Sequence, residues 1–318
     1  TVIKFYTNNN VSCIVSYDQP FILSVASAVT GFSTISPGIT LCAEANNLLY
    51  GTATNSQNLG NIAAINFARN DIDSTFYGNV AVGYHAGATN YSHDNVYVGS
   101  YAGENSGGSY NTVAVGSMAG RNYGGDYSVV IGNSAGYNNG AFAATMVGCY
   151  SGGGIQGQNN TGMGFAAFNG TGNGTDNTGI GFRALQGYSS GSKNSVLGSW
   201  AGWQLTSAEE NTSIGFYSMY TATIASYNTF LGSQAGRYLV DGDGNTGIGW
   251  KALLAATNAT DNTAVGRSAG RSITSGSVNT LIGFDAGYGI KTGVYNTFIG
   301  AYAQAVNPST VDPNYVTC

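Results

Sequence analysis

From residue 79 onward, hydrophobic positions alternate by two within a five-residue window, and that window returns every sixteen or seventeen residues. Each window closes on a Gly: Gly83, Gly99, Gly116, Gly132, Gly148, Gly164, Gly181, Gly198, Gly215, Gly232, Gly249, Gly266, Gly283 and Gly300. The residue before the Gly is aliphatic or Met in every copy, from Val82, Val98 and Val115 through Met163 to Val265, Ile282 and Ile299. Two positions earlier stand Val80, Val96, Val113 and Val129, then Thr or Ser of nearly the same shape. Period-two alternation predicts a short strand, and we expect these two columns to face the interior. Fourteen copies predict stacked coils, one structural unit per repeat. A degenerate copy at 62–68 precedes them, with Asn66 in the place of the Gly.

Other columns fit the same picture. Three residues after the Gly comes Ala or Ser in every copy, from Ala86 to Ala303, which implies a narrow corner. Most copies open with Asn: Asn79, Asn95, Asn160, Asn177, Asn194, Asn211, Asn228, Asn245, Asn262, Asn279 and Asn296. Stacked Asn side chains hydrogen-bond one another and cap turns, so this column predicts a structural ladder. The Gly column suits a turn with positive φ or close approach between coils. The fold class is therefore all-β, a parallel β-roll or β-solenoid. Fourteen coils at about 4.8 Å spacing give a rod about 65 Å long.

The middle residue of each window should then face outward, yet it includes Tyr97, Met146, Val196, Phe230, Leu281 and Phe298. Outward apolar residues on a thin solenoid predict burial against other chains, and we expect a homo-oligomer, a trimer in the first place, with these six as inter-chain residues. A second correlation links coils. Where the residue after the Gly is large (Phe165, Phe182, Phe216, Trp250), the one three further on is large too (Phe168, Leu185, Met219, Leu253). Small residues follow Ser199 and Ser233, namely Gly202 and Gly236. That pattern predicts interdigitation between alternating coils.

The Asn-Thr/Ser-x-Val/Ile-Gly-x-x-Ala repeat over residues 79–304 resembles the head repeats of trimeric autotransporter adhesins and similar repeats of bacteriophage tail fibres. The resemblance implies a left-handed roll, three chains about one axis, an extracellular location on a virion fibre or cell-surface appendage, and a role in surface attachment to a glycan or protein receptor.

Composition narrows the function classes. The chain has 318 residues, 49 of them Gly and only 8% charged, with a net charge of −5. Ten basic residues spread this thinly exclude an electrostatic nucleic-acid footprint. The longest apolar run, 21–29, is about half of a membrane span, so no membrane insertion is expected. Residues 1–60 lack the repeat but contain strand-like runs, which predicts a β-rich cap or docking module before the solenoid at 61–304 and a closing segment at 305–318. The N-terminal run Thr1–Thr7 could instead pair with a neighbouring molecule and build a head-to-tail filament, an alternative to the trimer. Cys13 and Cys42 share the N-terminal segment and form a possible disulfide.

Catalytic chemistry is poorly supported, and we expect no enzyme and no cofactor or metal. His85 occupies a column that elsewhere holds Tyr101, Met118, Arg183 or Gln234. Glu209-Glu210 and Asp71/Asp73 are close acidic pairs of the kind a glycan depolymerase needs, but they fall in variable spacers. Asp241-Gly242-Asp243 opens like a calcium loop but lacks the Gly at the sixth place, which is Thr246, and the acid at the twelfth, which is Ala252. The Thr column from Thr161 to Thr297 raises ice binding, which the expected inward orientation of that column disfavours.

Overall fold

The computed structural model describes residues 79–89, 92–187, 190–304 and 314–317 with side chains, and the backbone of strands at 2–7, 10–16 and 62–64. The chain divides into two compact units, Thr1–Gly38 and Ile39–Cys318. In the first, β1 (Val2–Thr7) and β2 (Asn10–Ser16) pair antiparallel with an irregularity between Phe5 and Tyr6. Cys42, and hence the possible disulfide to Cys13, lies outside the described residues, as do Asp71 and Asp73.

The second unit is a β-solenoid. One three-residue strand per coil stacks in sequence order into a single parallel sheet of fifteen strands, from β3 (Ile62–Ala64) and β4 (Val80–Val82) to β17 (Thr297–Ile299). Each strand pairs in register with the next coil, so that Thr229 lies opposite Thr246 and Phe230 opposite Gly247. In the degenerate first coil Ile62 lies opposite Val80 and Ala64 opposite Val82; Asn66 lies outside the described residues.

The strand's inside and outside are the reverse of the sequence expectation. In every described coil the middle residue is buried and its two neighbours are partly or largely exposed. Tyr97, Met146, Val196, Phe230, Leu281 and Phe298 are the core of their own chain, at 0–1% exposure, and not inter-chain residues. The physical reason lies in the coil's narrow bore. The middle strand residue faces the residue four after the Gly, and one of the two must be small. Phe230 meets Gly236, where a Cβ would sit 2.8 Å from its ring, and Leu281 meets Gly287, with a gap of 2.7 Å. The exchange also runs the other way: a Cβ at Gly162 would lie 2.9 Å from Phe168, and one at Gly179 would lie 3.1 Å from Leu185. The large residues after the Gly, such as Phe165, Phe182 and Trp250, point outward, so their correlation with Phe168, Leu185 and Leu253 is not core interdigitation.

Two columns hold the coils at their close spacing. The strand-ending Gly residues adopt φ between 130° and 146°. A Cβ at Gly249 would lie 2.5 Å from the Gly266 carbonyl oxygen, so both the backbone angle and the neighbouring coil require Gly there. The Asn column forms a continuous buried ladder from Asn160 to Asn296. Asn228 shows the pattern: its backbone N–H and Nδ2 both donate to Asn211 Oδ1, at 2.9 and 3.2 Å, and Nδ2 also donates to the Gly242 carbonyl at 2.8 Å. Its own Oδ1 accepts from Asn245 N and Nδ2 at 2.8 and 3.0 Å. The amide thus satisfies turn groups that would otherwise be buried without partners. Where Asn is missing, Thr112, Ser128 and Ala144 keep the turn, and the Ser128 hydroxyl accepts from Ala144 N at 3.0 Å. At the far end, 314–317 extends the stack: Thr297 N donates to the Val316 carbonyl at 2.7 Å, and Val316 N donates to Asn296 Oδ1 at 3.0 Å.

Candidate interaction surfaces

The inverted strand orientation creates the first surface. The outer face of the sheet carries two columns, Val or Thr at the strand start and Val, Ile, Leu or Met at its end. Leu197 is 46% exposed and Ile299 59%, and Ile131, Met163, Ile214, Leu231, Ile248 and Ile282 are exposed beside them. Fourteen strands of three residues give a face of about 65 by 10 Å, roughly 650 Å². Half of that face, the strand-end column, is aliphatic or Met in every coil, while the strand-start column is Val in the first four coils and Thr or Ser in the other ten.

Beyond the Gly corner lies a second surface, a ledge of aromatic rings. It is built by the residues one, two and five after the Gly, the second of which takes a left-handed φ in every coil from His85 to Tyr302. Successive coils bring the rings into contact. Phe165 stacks on Phe182 at 5.5 Å, Phe182 meets Trp200 edge-on at 5.6 Å, and Trp200 stacks on Tyr217 at 6.2 Å. Trp203 stacks on Tyr220 at 5.0 Å one row further out. Cations lie over these rings: Arg183 over Trp200 at 4.6 Å, Arg237 over Tyr217 at 4.8 Å, Lys251 over Trp250 at 4.2 Å and Arg267 over Phe284 at 3.9 Å.

The third surface is the turn that leads into each Asn, and it is acidic. Asp176, Glu209, Glu210, Asp241, Asp243 and Asp261 lie there with Lys193 and Lys291. Glu210 accepts from Lys193 Nζ at 2.8 Å, and this carboxylate holds the Lys193 ammonium above its ordinary pKa. Asp243 Oδ1 accepts from Ser226 N at 2.7 Å, so the Asp-Gly-Asp segment works as a turn. Glu209 is exposed on the same edge. His85 lies 3.6 Å from Glu104, which also pairs with Arg121 at 2.7 Å; His93 pairs with Asp94 at 2.8 Å. Among the described residues no three His, Cys, Asp or Glu side chains are grouped to hold a metal ion.

The ladder Asn and the Gly residues stand in the columns expected from the sequence, but the orientation of the strand and the aromatic ledge were not foreseen. A signal for the orientation is present: in ten of the fourteen coils the middle strand residue and the residue four after the Gly are large and small in opposition, as facing positions in a narrow bore require. No protein-family model and no curated protein matches this chain.

Proposed function

We propose that this chain is a rigid extracellular rod, a segment of a fibre or adhesin, whose coils associate laterally through the outer sheet face and whose remaining faces serve attachment. The observation that carries this reading is the continuous column of exposed aliphatic residues along the outer sheet face. Together with the Val and Thr column beside it, that face measures roughly 650 Å², near the ~800 Å² that each partner contributes to a standard interface. Closed rotational symmetry covers that face on every copy at once, and a trimer is the state that the repeat's resemblance to adhesin heads favours. Leu197, Leu231, Ile248 and Ile282, rather than the buried middle strand residues, are then the inter-chain contacts.

Light scattering on the full chain tests the proposal. A discrete trimer is expected, and Leu231→Lys with Ile248→Lys should dissociate it while leaving the far-ultraviolet spectrum unchanged. A monomer at all concentrations refutes lateral assembly, and an open-ended mass distribution favours the head-to-tail filament.

Ice binding is a second reading with its own observation. Contrary to the inward orientation expected from the sequence, Thr212, Thr229, Thr246, Thr263 and Thr280 lie on the outer face, in register from coil to coil. The neighbouring column is aliphatic instead of a second Thr row. Thermal hysteresis from a monomer would support this reading; a trimer that covers the face rules it out.

A further inference from the structure

The charges of this chain are sorted by edge. Across the coils from Phe165 to Tyr288, the aromatic ledge carries Arg183, Arg237, Lys251, Arg267 and Arg271 against one carboxylate, Asp285, while the turn before the Asn carries six carboxylates against two lysines. Asp285 is taken by Arg271 at 3.6 Å. Arg183, Arg237, Lys251 and Arg267 have no carboxylate within ion-pair distance among the described residues, although the chain as a whole is acidic. All four lie over aromatic rings. The Nε groups of Arg183 and Arg237 are buried against those rings with no hydrogen-bond acceptor.

We propose that this ledge binds an anionic polysaccharide, the rings stacking on sugar faces and the four unpaired cations taking its carboxylate or sulfate groups. The inference rests on the attachment reading and names the chemistry of the partner. Phe165, Phe182, Phe216 and Trp250 keep 42–48% of their surface exposed, and the uncovered parts of these rings are apolar platforms whose negative quadrupole suits polarised C–H groups. Guanidinium groups held over rings, 3.9–4.8 Å from the centroids, lose little further freedom when they donate in pairs to a planar carboxylate or a sulfate. The spacing favours sparse charge, since the four cations are distributed over about 24 Å of solenoid. A single-stranded nucleic acid also combines stacking with anions, but its affinity comes from dense phosphate neutralisation, which four cations on a protein of net charge −5 supply poorly.

The test is biolayer interferometry on the full chain with four probes: polygalacturonate, heparin, neutral dextran and a dT oligonucleotide. Binding to polygalacturonate or heparin, weakened by added salt, is expected, and the preferred probe distinguishes carboxylate from sulfate. The triple variant Arg183→Gln, Arg237→Gln, Arg267→Gln should weaken it by about tenfold or more. Should that variant fold poorly, Arg267→Gln alone removes an exposed cation and should still weaken binding by a few-fold. Asp241→Asn with Glu209→Gln, on the other edge, should not weaken it. No binding to either anionic glycan, equal binding to dextran, preference for the oligonucleotide, or indifference to the arginine substitutions overturns the proposal. Scattering mass on the same samples separates the two readings: a trimer without glycan binding refutes the ledge alone, and a monomer that binds glycan refutes lateral assembly alone.

Discussion

Replacing Asn228 by Ala removes one rung from the middle of the buried ladder and leaves the strands on both sides intact. Two buried groups lose their partner outright: the Asn245 N–H, which donates to Asn228 Oδ1 at 2.8 Å, and the Gly242 carbonyl, which accepts from Asn228 Nδ2 at 2.8 Å. Asn211 Oδ1 keeps the backbone N–H of residue 228, and the Asn245 amide keeps the Ala259 carbonyl at 2.6 Å, so those groups stay satisfied. Each orphaned group costs about 1–3 kcal/mol, which gives about 2–6 kcal/mol for the substitution. In a stacked repeat each coil touches its neighbours only, so the loss should be local and not spread evenly. Hydrogen exchange read by mass spectrometry should show protection falling by at least about thirtyfold in the peptides around 211–262, with little change in the coils near Val113. Thr229→Val, next in sequence but on the outer face, is the control and should change stability by less than about 0.5 kcal/mol. Equal effects from the two substitutions, or a uniform loss along the solenoid, would refute the view that the ladder holds each coil to the next.

Gly249→Ala places a methyl 2.5 Å from the Gly266 carbonyl at a φ of +130°, and should reduce soluble yield and open the surrounding coils to exchange. Phe230→Ala empties the bore and should cost about 3–5 kcal/mol by denaturant unfolding, whereas Gly236→Ala destabilises by crowding the same ring. The double variant should cost clearly less than their sum, because the added methyl enters the space the ring leaves. Burial pushes the Tyr123 phenol up, and its hydroxyl donates to the Ala141 carbonyl at 2.7 Å. The folded state therefore holds this proton more tightly than the unfolded chain, and its contribution is full below the ordinary phenol pKa of 10.0 and is lost as pH rises beyond it. Tyr123→Phe should lower Tm at pH 7 by removing a hydrogen bond of about 1 kcal/mol, and should flatten the fall in Tm above pH 10.

How much of this was legible in the sequence depends on whether a column is defined by backbone or by shape. The Gly column was legible because only one residue type tolerates that φ against a neighbouring carbonyl. The Asn column was legible because an amide alone both accepts from the coil after it and donates to the coil before it. The strand itself followed from period two, but period two has no sign: it separates two faces without saying which one is inside. The usual guide, that the uniformly aliphatic column is core, fails here because the bore is so narrow that its occupants must vary to fit one another. Phe230 can exist only because Gly236 and Gly247 stand beside it, and Phe168 only because of Gly162. Uniformity instead marks the outer face, where every coil presents the same shape to whatever covers it. The same inversion accounts for the missed ledge. Cations and rings such as Arg183 and Trp200 are seventeen residues apart in the chain and become neighbours only through the coil register, so no local motif announces them. In a solenoid, then, variable columns record packing within the chain, and the constant apolar column is the better pointer to a partner.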